Sequence, residues 1–135
     1  MKIEDNLKKI RYLIKKIEMI KADIEYFKSQ CDIGSPFLNP NKVQTSRNTD
    51  GFQNSACLLA DKQEELDALI IKLNEKQKEN AEFIDVIENP KIYEIMYLYY
   101  VHARSINEIA KIVNRESSGV YKLKKYGKKI IQNIQ

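Results

Sequence analysis

The chain has no tryptophan, one histidine (His102), two cysteines and four glycines in 135 residues. Each scarcity removes a class of function. With one imidazole, a Cys/His zinc site is short of ligands. A nucleophile–histidine pair would have to use His102, and the spacing suggests no nucleophile for it. Cys31 and Cys57 lie far apart and read as reduced structural or surface thiols, not as a disulfide framework. The glycines form no phosphate-cradling loop and no nucleophile elbow. No catalytic residue, metal or cofactor is therefore expected, and an enzyme is the least expected class. Apolar runs fall short of the roughly 18 residues that span a bilayer. The opening "MKIEDNLKKIRYLIKK" is charged throughout, without a signal-peptide core, so a cytoplasmic protein is expected.

What is present is charge and helical periodicity. Charged residues make up 31% and hydrophobic residues 43%, the balance of a chain that folds in water. The net charge of +4 is uneven. Residues 91–135 hold 9 Lys/Arg against 3 Asp/Glu, a net of +6, while residues 1–90 hold 14 against 16, a net of −2. A basic C-terminal third on a near-neutral body suggests a polyanion partner at that end. A merely solvated lysine-rich surface would give the same count.

Residues 2–30 repeat every seven. Ile3, Ile10, Ile17, Ile24 and Cys31 share one heptad slot; Leu13, Ile20 and Phe27 share the slot three residues later, with Asn6 as its polar exception. This predicts a long amphipathic helix with a coiled-coil seam. Residues 31–54 carry Pro36, Pro40, Gly34, Gly51 and many Asn/Ser/Thr, which predicts a long mobile loop, with Phe37, Leu38 and Val43 as possible anchors. A second long helix is expected over residues 55–88. Its seam runs through Ala56, Leu59, Leu66, Ile70, Leu73, Ile84 and Ile87, with Gln63, Gln77 and Asn80 as polar seam residues that fix register. Residues 1–88 thus read as an antiparallel helical hairpin. A two-helix hairpin has little core, so self-association is expected, a dimer first.

Residues 89–135 read as a separate domain. Asn89 can cap and Pro90 suits the first helical position, predicting a third helix over residues 90–101 with Ile92, Ile95, Met96 and Tyr99 on one face. Ser105 and Glu108 form a capping box opening a fourth helix, whose buried face is Ile106, Ile109, Ala110 and Val113. Asn114 tolerates the left-handed turn that follows. Val120 and Leu123 then lie 10 and 13 residues after the small Ala110, the spacing of a helix-turn-helix. The last helix has an inward stripe of Val120, Leu123, Gly127, Ile130 and Ile134. Its outward face carries Ser118, Tyr121, Lys122, Lys125, Lys128 and Lys129. The fold class expected is all-α: a long coiled-coil-like helical hairpin followed by a C-terminal helix-turn-helix.

At these residues the chain resembles a family. "YLYYVHARSINEIAKIVNRESSGVYKLKK" looks like region 4 of bacterial sigma factors. It is closer still to small phage-encoded sigma-like late-gene regulators of the ArpU/RinA kind. "EIA" at 108–110 and "VYKL" at 120–123 carry the likeness, which spans residues 55–131 and is weak before 90. Tyr99 stands where such sequences often have Arg, and Ala103 and Asn114 where they often have Gly. Gly119 falls inside the recognition helix; either it admits close backbone approach to DNA or the helix starts late. The resemblance implies a DNA-binding regulator beside host RNA polymerase. Nothing resembles sigma region 2, so promoter melting is not expected.

The expected base-reading residues are Ser118, Tyr121, Lys122 and Lys125, with Tyr121 alternatively a packing residue. The expected phosphate contacts are Arg104, Arg115, Lys124, Lys128 and Lys129. His102 is expected to be an exposed turn residue. Two other functions fit the same residues: a phage DNA-packaging protein like a terminase small subunit, and a coiled-coil interaction protein that binds no nucleic acid.

Overall fold

A computed structural model of the protein describes residues 2–33 and 45–134. Among them are five helices and no strand: α1 (Lys2–Ile33), α2 (Thr45–Ile84), α3 (Pro90–Tyr100), α4 (Ile106–Val113) and α5 (Ser117–Ile134). The all-α expectation holds. None of the described helices is long and apolar enough to cross a membrane.

Within the expected loop over 31–54, the described residues 31–33 and 45–54 are helix instead: α1 continues to Ile33 and α2 already begins at Thr45. Asn, Ser and Thr only lower helix propensity, and one interior glycine such as Gly51 costs about 1 kcal/mol, whereas proline costs about 3. Gly34, Pro36, Pro40, Phe37, Leu38 and Val43 all fall outside the described residues. At its other end α2 stops at Ile84, short of the expected residue 88. Pro90 disfavours helical geometry at Asn89 before it. The turn is closed by the Ile87 amide donating to the Ile84 carbonyl at 2.9 Å.

The chain divides into two compact units, Ile14–Ile71 and Met1–Leu13 with Lys72–Gln135. In the first, Ile17, Ile20 and Ile24 of α1 and Leu66 and Leu69 of α2 are buried, and Lys62 pairs with Asp23 at 3.6 Å. The α2 seam is corrected by one position. Leu69 is the buried residue, while Ile70 is 36% exposed and Gln63 is exposed. Two adjacent apolar residues let the four/three alternation run through either, and they lie about 100° apart on the helix. Ala56 is exposed as well.

The second unit has a continuous core. Ile3 and Leu7 of α1 meet Ile84 and Ile87, then Ile92, Met96, Tyr100 and Val101, and Ile131 of α5. A neighbouring cluster joins Ile95 to Ile109, Ala110 and Val120; Leu123 and Tyr99 pack against both. Asn80 is fully buried and donates to the carbonyls of Ile3 at 3.3 Å and Tyr100 at 2.9 Å. Gln77 donates to the carbonyl of Val101 at 3.0 Å, and Asn6 to Glu79 at 3.0 Å. The seam polar residues therefore bond to the end of α3 and the start of α1.

The seam gives a direct test by denaturant unfolding. Ile17→Ala should cost about 2–5 kcal/mol, because the side chain is buried. Ile70→Ala should cost under about 1 kcal/mol, because much of its surface already meets water. Equal losses at the two sites would place Ile70 in the seam after all.

Candidate nucleic-acid interface

Capping sets where the short helices begin and end. The Asn89 side chain accepts from the amides of Lys91 at 3.0 Å and Ile92 at 3.3 Å, with Pro90 as the first helical residue. The Ser105 side chain accepts from the Glu108 amide at 3.2 Å and its hydroxyl donates to the Glu108 carboxylate at 3.2 Å. Arg104 also reaches that carboxylate, at 3.2 Å. Together Ser105 and then Arg104 hold the Glu108 carboxyl below the usual carboxylate range. Ala103 and Asn114 both adopt left-handed backbone, at φ 55° and 57°.

The connection from α4 to α5 is only residues 114–116. The Asn114 and Arg115 amides both donate to the Ala110 carbonyl, the latter at 2.9 Å, and the Ser117 hydroxyl donates to Asn107 at 3.0 Å. With Ala110 and Ile109 buried under Val120, α5 is fixed across α4. Further along, α5 crosses α3 at Gly127. A Cβ there would lie 2.7 Å from Met96 Cγ and 2.9 Å from Ile92 Cγ2, so only glycine fits this approach.

The inward face of α5 is Val120, Leu123, Gly127, Ile130 and Ile131. Ile134, expected on that stripe, is instead 60% exposed, and Ile131 is the buried residue near the end. About three turns of true 3.6 periodicity carry the stripe from Val120 to residue 131 and not to 134. The helix holds five lysines and no carboxylate.

The expected base-reading residues share the exposed surface of α5. Ser118, Lys122 and Lys125 are exposed, and Tyr121 is 53% exposed, its ring 5.3 Å from the Lys124 ammonium. The expected phosphate contacts divide. Arg115 and Lys129 are exposed. Arg104 pairs with Glu108, Lys124 lies 4.3 Å from the centre of the Tyr99 ring, and Lys128 pairs with Glu4 of α1. Lys128, the first cause, holds the Glu4 carboxyl below its usual range, against the opposing effect of its partial burial. His102 is exposed, edge-on to Tyr97 at 5.2 Å.

Sequence reasoning missed Arg11, whose guanidinium lies 5.2 Å from the centre of the same Tyr99 ring. A heptad pattern places residues on faces of one helix and cannot name a neighbour on another. No group of three or more His, Cys, Asp or Glu able to hold a metal occurs among the described residues.

Compared with known proteins, the chain matches no family model, no curated protein and no solved structure.

Gly119 lies inside α5, because the helix starts at Ser117, and a Cβ added there meets nothing within 4 Å. Gly119→Ala should therefore raise stability, by up to about 1 kcal/mol. Gly127→Ala should lower it by about 1–3 kcal/mol through overpacking against Met96 and Ile92. Thermal melts of the two variants check both signs.

The lowered Glu4 and Glu108 carboxyls give stability that is fully present above the ordinary glutamate value of about 4.3 and is lost as pH falls through their lower folded values. Acid titration of the melting temperature should show this loss, and Glu4→Gln should diminish it.

Proposed function

We propose that the protein is a sequence-specific DNA-binding transcription regulator of phage or prophage type, acting at promoters beside host RNA polymerase, and not an enzyme. In this reading α4, the 114–116 turn and α5 form a helix-turn-helix, with α5 as the recognition helix. The observation that carries it is the division of α5. Val120, Leu123, Gly127 and Ile131 face inward, and Ser118, Tyr121, Lys122 and Lys125 form an exposed, carboxylate-free surface beginning in the first turn. A helix of this kind fits the major groove, where residues near its N-terminus meet base edges and later lysines meet phosphates. The likeness of residues 55–131, weak before 90, to sigma region 4 and phage late-gene regulators supports the same reading.

Self-association belongs to the proposal, with a homodimer favoured. Met19, Tyr26, Leu58 and Ile71 in the unit Ile14–Ile71 are 68%, 60%, 43% and 59% exposed. These four apolar side chains stay in contact with water beside the five that the unit buries, surface that a second copy could cover. Dimeric readers engage two half-sites, so a palindromic site is expected.

Lys122 is the residue expected to supply specificity. It lies two residues after the buried Val120, about 200° around the helix from that contact. Lysine can donate to guanine O6 and N7. On the best site selected from random DNA, Lys122→Ala should cost about 1–3 kcal/mol, and much less on random duplex. Lys129→Ala should weaken both duplexes alike. Five or six phosphate contacts per protomer predict a log–log salt slope of about −4.5 to −5.5. A salt-independent response, or no binding at low salt, would leave the coiled-coil interaction protein as the reading. A ring of eight or more subunits would favour DNA packaging.

A further inference from the structure

We infer that the first turns of α1 belong to the same DNA-binding face, with Arg11 as a contact to the phosphate backbone; this rests on the reading of α5 as a DNA-binding helix. Two cations converge on one ring. Arg11 lies 5.2 Å and Lys124 4.3 Å from the centre of Tyr99, which places the two charges within about 10 Å of each other. That is about one Debye length at physiological salt, so their repulsion is weakened by the solvent ions but not abolished. The ring's negative face offsets part of this. An anion lying near both charges would offset more of it.

The charges along the contact are also polarised. Glu4, Lys8 and Arg11 are spaced four and three apart and so share one face of α1. At one end of that face Glu4 pairs with Lys128 of α5. At the other, Arg11 joins Tyr99 and Lys124, and Lys124 in turn meets Tyr121. The late part of α5 is thus partly neutralised by α1. Its early part, where Tyr121 and Lys122 are exposed, gains a further cation. Residues 6–13 carry Lys8, Lys9 and Arg11 and no carboxylate. Surplus positive charge therefore collects beside the groove-facing end, in the place a phosphate strand flanking the read base pairs would occupy. The partner is duplex DNA, recognised through its backbone and without regard to sequence.

The test uses the full-length protein and two duplexes, one random and one carrying the best selected site, each titrated with salt. Arg11→Gln keeps a planar polar head to lie on Tyr99 and removes only the charge. It should weaken binding to both duplexes several-fold and flatten the log–log slope by about 1. Arg11→Lys should retain most of the slope, and the melting temperature of both variants should match wild type. Lys78→Gln, an exposed cation on α2, should leave affinity and slope unchanged. If wild type binds with a steep slope and Arg11→Gln binds identically, α1 is not part of the interface, although the DNA reading stands. If Lys78→Gln flattens the slope as much, the effect is one of net charge and the inference about Arg11 falls. If wild type binds neither duplex at low salt, the DNA reading itself fails and takes this one with it.

Discussion

The amide of Asn80 is buried where α2, the start of α1 and the end of α3 come together, and both of its protons are used there. One goes to the Ile3 carbonyl and one to the Tyr100 carbonyl, while Gln77, one turn earlier on α2, takes the Val101 carbonyl. A helix end leaves its last carbonyls without partners in the helix. For α3, those partners come from another helix. The Arg104 amide then returns to the Leu98 carbonyl at 3.0 Å, with Ala103 left-handed between them. Where α3 stops fixes where the Ser105 cap begins α4. Removing the Asn80 side chain would leave the Tyr100 carbonyl, among the last of α3, without its partner, a penalty of the size that an unpaired buried polar group carries, about 1–3 kcal/mol.

Much of this was legible in the sequence, because the signals were local. The Asn89–Pro90 start, the Ser105–Glu108 capping box and the left-handed Asn114 each depend on residues within four positions of one another, and each lies where the spacing put it. The α1 seam was legible for the same reason, since isoleucines seven apart leave one choice of face. Illegible parts had two choices or distant causes. "LII" at 69–71 allowed two seams, and "II" at 130–131 allowed two ends to the α5 stripe. Asn and Ser at 45–54 lowered helix propensity without forbidding helix. Gln77 and Asn80 were recognised as polar seam residues, but their partners lie 24 and 20 residues further along the chain, where no pattern points.

The candidate site shows the same division. Which side chains of α5 face outward followed from periodicity once Val120 and Leu123 were placed inward. Which of the cations are already engaged did not. Arg104, Lys124 and Lys128 each have a neighbour in this chain, two of them a carboxylate. On the proposed reading, a phosphate has to compete with Glu108 or Glu4 for those two. Their contribution to affinity is then the difference between two ion pairs, smaller than that of Arg115 or Lys129, which are exposed.

Gly119 makes the corresponding argument from the backbone. A glycine in a helix interior is destabilising, and at Gly127 the close approach of α3 explains it. At Gly119 nothing in the chain does: the helix has already begun, its backbone has no positive φ, and the space beyond the missing Cβ is open. Conformation and internal packing would both accept alanine. What remains is the outer surface of the first turn of α5, next to Ser118 and one turn before Lys122. A helix lying in a groove is closest to its ligand at such a turn, and a bare backbone there permits an approach that a methyl group would hold off. On the proposed reading, the residue that weakens α5 as an isolated helix would flank the residues that would read bases.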